Sequence, residues 1–293
     1  MSSLKEVRNR IISVNKTQKI TSAMKMVASA KLHKAQHDIE NMLPYEQGMH
    51  GVLSRLLAAG ASSVDSPYSK ERNVENVAIV VFASNMSLCG SYNVNMLKHL
   101  NEVLEEYSGK IGKEHIKIYP VGRKVADEID KKVHDVNVDF VEIGDKPSYE
   151  NAAKLAQTLM DLYAKKDVDK VELLYCHFKS MAKQIYTRET FIPFNINGMP
   201  SDSKEDAHAS VDYILEPSAD DIISDMMPKV MKLKVFTALL DSCASEHGAR
   251  TLAMQTATDN ANDLLQELNV MYNKSRQQSI TNEILDIVAG SMR

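Results

Sequence analysis

The stretch best placed to do chemistry is Ala83-Ser84-Asn85-Met86-Ser87-Leu88-Cys89-Gly90-Ser91. It separates the apolar run Val77–Phe82 from an amphipathic segment that begins near Tyr92. A loop leading from a strand into a helix presents backbone N–H groups and the positive end of the helix dipole, an arrangement that binds phosphate. This loop carries one glycine, Gly90, and fits neither GxGxxG nor a P-loop, so the expected reading is an ordinary strand-to-helix turn. The other candidates are weaker. Glu105-Glu106 and Asp220-Asp221 are adjacent acidic pairs, which are solvated charges more often than acid/base partners, and no Ser/His/Asp or Cys/His set assembles. Cys89, Cys176 and Cys243 are far apart, odd in number and form no CxxC, as expected of reduced thiols in a reducing compartment. No catalytic residue, no cofactor and no metal site is expected.

The elements that would position such groups come next. The chain has 293 residues, 44% hydrophobic and 25% charged, which suits one large domain or two modest ones and argues against disorder. Aromatic content is 6% with no Trp, while Met reaches 16, a balance that fits a helix-rich architecture. A net charge of −4 points to no nucleic-acid partner. The charge is uneven: residues 1–43 hold eight basic side chains (Lys5, Arg8, Arg10, Lys16, Lys19, Lys25, Lys31, Lys34) against Glu6, Asp38 and Glu40. That basic segment is either a solvated face or one that meets an acidic partner. No apolar run approaches the ~18 residues of a membrane span, and the polar N-terminus reads as carrying no secretory signal.

Two long helices bracket the chain. Leu4, Val7, Ile11 and Val14 keep a heptad spacing, and the register then drifts to Ile20, Met24 and Val27, as a nearly straight helix drifts against a 3.5-residue repeat. Pro44 predicts a kink or break near Leu43, with helix resuming through Leu53, Leu56 and Leu57 to Gly60. At the other end, Val230, Leu233, Phe236, Leu240, Cys243, Leu264, Leu268 and Met271 keep helical period. From Pro228 to Ala289 that is a helix of ~90 Å, longer than any core this chain can build. Pro228 predicts a second kink, and Ser218 a cap three residues before Asp221.

Between them, short β-branched runs alternate with helical segments. Strands are expected at Val77–Phe82, Ile116–Pro120, Val136–Ile143, Val171–Phe178 and Gln184–Phe194, the last two as an antiparallel hairpin. Helices are expected at Tyr92–Tyr107, Arg123–Asp130 and Ser148–Lys165, with polar connections at 60–76 and 197–209. The fold class is therefore α/β: a Rossmann-like domain inserted between two long terminal helices that pair as an antiparallel coiled coil. The segments are 1–60 for the first helix, 75–197 for the α/β domain and 209–293 for the last helix. Residues 244–262 are crowded with small side chains, and Leu252 and Met254 are their only large apolar ones. Such thin helices bury too little surface to hold a rod alone, which implies an enclosing partner.

At these residues the sequence resembles the gamma subunit of F-type ATP synthases. The N-terminal signature stands as Asn15-Lys16-Thr17-Gln18-Lys19-Ile20-Thr21-Ser22-Ala23-Met24-Lys25-Met26-Val27-Ala28. The C-terminal one stands as Ser245-Glu246-His247-Gly248-Ala249-Arg250, Ala257-Thr258-Asp259-Asn260-Ala261, Asn273-Lys274-Ser275-Arg276-Gln277, Ile280-Thr281-Asn282-Glu283-Ile284 and Val288-Ala289-Gly290. The resemblance covers the whole chain. It implies a non-catalytic rotor shaft that turns inside a ring of alpha and beta subunits, with a foot that binds the epsilon subunit and the membrane-embedded c-ring. It implies a peripheral protein at the cytoplasmic face of the bacterial inner membrane. It also implies shaft contacts to the alpha/beta ring from Met24, Lys25, Met26, Arg250, Gln255, Arg276 and Gln277. The sequence departs from the family at Asn85 and Ser87, where an Asp and a Gly-type residue are usual, and at His247-Gly248, where Gly248 is expected to soften the helix by ~1 kcal/mol. The regulatory cysteine insertion of plastid members is absent. Two rival classes make different forecasts: a nucleotide-using enzyme with helical arms would bind ATP or NAD near Gly90, and a free coiled-coil tether would form a stable homodimer.

Overall fold

The computed structural model describes residues 4–58, 68–129, 135–194, 216 and 218–291. The connections expected at 60–76 and 197–209 lie largely or wholly outside these residues, as does Asp130. Helix α1 spans Leu4–Ala58 and helix α5 spans Ala219–Ser291. Ser218 caps α5 as expected, accepting the Asp221 N–H on its hydroxyl at 3.2 Å.

Neither proline breaks its helix. α1 continues through Pro44 and α5 through Pro228, each an unbroken helix. A helical proline costs about 3 kcal/mol. Burying one large apolar side chain returns about 1.5–3 kcal/mol, and several such residues stand on both sides of each proline. Ile39, Met42 and Met49 pack on the core around Pro44, with Leu53 and Leu56 buried beyond it, while Met227 and Val230 are buried around Pro228. Packing therefore holds the helix where local preference would end it.

Five strands form one sheet in the order β3-β2-β1-β4-β5: β1 Val77–Phe82, β2 Ile116–Val121, β3 Asp135–Val136, β4 Lys170–Phe178 and β5 Gln184–Ile192. β1 pairs in parallel with both β2 and β4, β2 with β3, and β5 closes the edge antiparallel to β4, the expected hairpin. The third strand is shorter than expected. Asn137 accepts the Asp139 N–H on its side-chain oxygen at 2.9 Å, a turn that competes with strand pairing, and the chain then enters a 3-10 turn over Val141–Asp145. β5 likewise stops at Ile192, before Pro193, which has no N–H to give.

Alternation splits the sheet between two cores. Val77, Ile79 and Val81 face α2 (Tyr92–Ile111) and α3 (Arg123–Glu128), while Ala78, Val80 and Phe82 face α4 (Tyr149–Ala164) and the long helices. β1 is buried along its whole length, as the central strand of a covered parallel sheet must be.

Contacts divide the chain into two compact units, one joining Met1–Ala30 to Arg250–Arg293 and the other running from Lys31 to Ala249. In each unit one end of α1 packs with the opposite end of α5, so the helices pair antiparallel. Among the described residues, no helix is long and apolar enough to cross a membrane.

A charged network sits inside the second unit. The Glu172 side chain, 2% exposed, accepts Arg188 Nε at 2.6 Å, Lys170 Nζ at 2.7 Å and the Tyr107 hydroxyl at 2.7 Å. Arg188 reaches on to Glu106, which also holds Lys110 Nζ at 2.7 Å. Burial pushes the Glu172 carboxyl up, but its bonds to Arg188, Lys170 and Tyr107 more than reverse this and leave it below the ordinary range. Lys110 and Arg188 hold the Glu106 carboxyl at about 2. Both folded values are depressed, so this network contributes its full stability above the ordinary carboxylate value of 4.5, and the contribution is lost as pH falls from there toward about 2. Glu172→Gln takes the buried anion away from two half-buried cations, Lys170 and Arg188, and should cost about 1.5–3 kcal/mol at neutral pH, the worth of a charge-assisted bond. Urea unfolding between pH 7 and pH 3 checks both points: the wild-type chain loses stability on acidification and the variant loses less.

Candidate functional site

Doubly wound sheets bind ligands in the crevice beyond the carboxyl ends of the strands, where the winding direction reverses. Here that point lies between β1 and β4. It is occupied by the chain's own α5. The Ser242 hydroxyl accepts the Cys176 N–H at 3.2 Å, and the Ser245 hydroxyl donates to the Cys176 carbonyl at 2.9 Å. One turn away, Asp241 accepts the Phe178 N–H at 2.8 Å on one oxygen and His177 Nδ1 at 2.6 Å on the other. The Tyr92 hydroxyl, at the start of α2, donates to the Ser242 carbonyl at 3.2 Å. The sequence reading foresaw none of these contacts: it did not name Asp241 or Ser242, and Ser245 entered only in the C-terminal signature and among the small residues of 244–262.

Several polar groups of the strand-to-helix loop after β1 are bonded within the loop and to α2 and α3. Ser84 donates its N–H to Asn93 Oδ1 at 3.1 Å and its hydroxyl to the Met86 carbonyl at 2.8 Å. Asn85 Oδ1 accepts the Arg123 N–H at 2.7 Å, a bond that a carboxylate oxygen could equally accept. A Cβ on Gly122 would lie 2.3 Å from the Ala83 carbonyl oxygen, so glycine alone lets α3 begin against this loop.

The three cysteines are buried and none is in a disulfide among the described residues. Burial pushes the Cys176 thiol up to about 12 and Cys243 up as well, which keeps both protonated and removes them as nucleophiles. His33 and His37 stand four residues apart on α1, a helical ligand spacing that the sequence reading missed. His37 Nε2 is held by Asn41 at 3.1 Å, and no group of three potential metal ligands occurs among the described residues.

In the first unit the helices meet through small and polar groups. Thr21 and Thr258 hydroxyls lie 2.8 Å apart, and each is also within reach of its own helix's carbonyls, Gln18 at 3.0 Å and Met254 at 2.8 Å. Val7, Ala28, Met254, Ala261 and Leu268 are buried beside them. The seven expected contact residues do not form one cluster. Met24 lies one turn beyond Thr21 and Gln255 one turn before Thr258, which puts both at one level of an antiparallel pair. Arg276 and Gln277 are ~27 Å further along α5. Met24, Lys25 and Gln255 are half-buried, Met26 is 65% exposed, Arg276 and Gln277 are exposed, and Arg250 is buried. Gln255 donates to both oxygens of Asp259 at 2.8 Å.

Gly248 does more than soften a helix. A Cβ there would lie 2.7 Å from the Phe178 ring, so the glycine lets the end of β4 sit against α5.

Fold and surfaces together define an antiparallel helical pair with one inserted α/β domain, whose ligand crevice is filled by one of its own helices. A family model described as ATP synthase matches residues 3–292. An ATP synthase gamma chain of Phocaeicola vulgatus is 58% identical over 292 residues, covering 100% of both chains. Another from Bacteroides fragilis is 53% identical with the same coverage. A chain in the structure of the Euglena gracilis mitochondrial ATP synthase, titled OSCP/F1/c-ring, shares the fold with a TM-score of 0.63 at 19% identity, over 99% of this chain and 93% of that one. This chain belongs to the ATP synthase gamma-chain family, the non-catalytic central-stalk subunit of the complex.

The threonine pair makes a measurable forecast. In a double-mutant cycle of Thr21→Val and Thr258→Val, followed by urea unfolding, the two changes should couple by about 0.5–1.5 kcal/mol, the worth of one intramolecular hydrogen bond. Additive changes would mean the two hydroxyls do not interact.

Proposed function

We propose that this chain is the turning shaft of its complex, coupling ion flow through a c-ring to ATP synthesis or hydrolysis in a ring of alpha and beta subunits. In this reading residues 1–60 and 209–293 form the shaft. Residues 75–197 form the foot, which meets an epsilon subunit and the c-ring, and the protein sits peripherally at the cytoplasmic face of the inner membrane. The observation that carries the reading is the apolar surface left exposed on the paired helices and on the end of α5 that runs past the start of α1. Ile12, Ile20, Met26 and Val27 on α1 are exposed, as are Ile280, Ile284, Ile287 and Val288 on α5. The last four recur at steps of four, three and one, a single face of one helix, and Ile287 is 71% exposed. A contiguous exposed apolar face marks an interaction site, and a surface spread around two helices suits a partner that encloses them. Membership in the gamma-chain family supports the same partner.

The half-buried Lys25 belongs to the basic segment of α1, and with Met24, Met26, Arg250, Gln255, Arg276 and Gln277 it supplies the shaft's contacts to the ring. Lys25 and its basic neighbours complement acidic loops of the beta subunits. Lys25→Glu should therefore lower ATP-driven ion pumping in membrane vesicles severalfold while ATP hydrolysis continues. Pumping equal to the wild type would remove Lys25 from the coupling surface. The rotor reading itself is tested by assembling alpha and beta subunits on the membrane sector with and without this chain, since ATP-driven pumping should require it.

A further inference from the structure

The way α5 is fastened to the sheet carries an inference beyond the shaft reading, although it rests on that reading. Most of the contact is apolar: Val230, Met231, Leu233, Val235, Leu239 and Leu240 of α5 lie in the core beside the sheet. Apolar burial is non-directional, so it holds a helix against a sheet without fixing where along its axis, or at what rotation, the helix stops. Hydrogen bonds between defined atoms do fix it.

Three of those bonds gather at one place, apart from an ion pair of the long, partly exposed Lys234 side chain with Glu189 of β5 at 2.9 Å. The N–H and C=O of a strand residue point to the same side. β1 is registered with β4 only as far as Leu174, and Cys176 lies two residues further on. Both main-chain groups of Cys176 are taken by α5, its N–H by Ser242 and its C=O by Ser245. Two serines three residues apart on a helix thus continue the ladder where β1 ends. Asp241 adds the Phe178 N–H, so three successive bonds tie two residues of β4 to one turn of α5. Cys176, Ser242 and Ser245 are buried, Ser245 completely, so water cannot replace a bond that is lost. A slip of one residue turns the helix by about 100° and carries both serines away from the strand.

We propose that Asp241, Ser242 and Ser245 are positioning residues that form a latch between the end of β4 and α5. The latch fixes the rotational register of the shaft helix on the α/β domain, so that torque applied to the domain turns α5 without slipping. The apolar core supplies the adhesion and the latch supplies the phase.

The test uses the complete ATP synthase complex in vesicles, carrying wild-type, Ser242→Ala/Ser245→Ala, Asp241→Ala or Asp241→Asn chains. ATP hydrolysis, ATP-driven ion uptake and amide exchange within this subunit are measured on each. Loss of about 1 kcal/mol per bond raises local opening about fivefold. The double serine variant should therefore exchange the Cys176 and Phe178 amides at least about fivefold faster, leave Val77–Phe82 unchanged, hydrolyse ATP and move fewer ions per ATP. Asp241→Asn keeps an acceptor for Phe178 and should match the wild type, whereas Asp241→Ala should not. This aspartate pair carries the same test if the double variant fails to assemble. A wild-type ratio of ions to ATP in the double serine and Asp241→Ala variants, despite faster exchange at the end of β4, overturns the latch. So does exchange that rises evenly across the sheet with an unchanged ratio, which is a stability effect alone. If ion uptake in the wild-type complex does not depend on this chain at all, the shaft reading falls, and the latch falls with it.

Discussion

The structure depends on one helix serving two masters. α5 runs for 73 residues, and no single partner accounts for its sequence. Its first half is rich in large apolar side chains, Val230 to Leu240, and these are buried against the sheet. Its second half turns to small residues, and burial there narrows to Met254, Ala261 and Leu268 among the larger positions, with everything beyond Arg276 exposed. A helix buried on one flank along its first half and weakly buried along its second has its stability concentrated in the first. The other elements follow. The sheet exposes the carboxyl ends of its strands to receive α5, and α1 must run the opposite way to cover what the sheet does not.

That same docking places α5 at the point where a doubly wound fold binds its ligands. The switch-point crevice is where this fold elsewhere presents backbone N–H groups to a ligand. Ser242, Ser245 and Asp241 use up those groups at the end of β4, and Ser84, Asn85 and Asn93 tie the loop after β1 to α2 and α3. The ligand of this α/β domain is in effect its own helix. The rival reading of a nucleotide-using enzyme needs the crevice that α5 fills.

Much of the fold could be read from the residues because local and tertiary preferences agreed there. The run Val77–Phe82 is short, β-branched and buried throughout, Val171–Phe178 is mostly apolar and buried from Val171 to Leu174, and both became strands. Ser148 capped α4 as its position suggested, accepting the Asn151 N–H. Where the two disagreed, the sequence misled. Pro44 and Pro228 carry a strong local signal to break a helix, and the signal that overrode it, burial by residues from distant parts of the chain, has no local pattern. The alternation over Val136–Ile143 is real, but Asn137 diverts the backbone with a single side-chain bond. The seven expected contact residues were picked out by motif, and their placement could not be read from spacing: Met24 and Gln255 fall at one level of the helical pair, while Arg276 and Gln277 stand far along α5. Nothing in the spacing within either helix reports the register between two helices. Thr21 and Thr258 record that register, and they are separated by 237 positions.

Gly248 shows how closely shape and function are bound together here. On propensity alone a glycine in the middle of a long helix is a defect of about 1 kcal/mol. In place it removes the Cβ that would strike the Phe178 ring, and Phe178 is the residue whose N–H Asp241 holds. The glycine and the aspartate act on the same residue from two successive turns of α5, one admitting the side chain and the other binding the backbone. The small residues that follow, from Ala249 on, continue the same logic in the first unit, where Ala28 and Ala261 are buried and a pair of hydroxyls takes the place of a large apolar contact. A close approach of backbones needs small side chains, and small side chains bury little, so the register of such a helix must be set by hydrogen bonds. Along α5 the bonds from Asp241, Ser242 and Ser245 to the end of β4 lie where the large apolar side chains give out, and that of Thr258 to Thr21 lies beyond them, while within the apolar stretch Lys234 pairs with Glu189 of β5 at 2.9 Å.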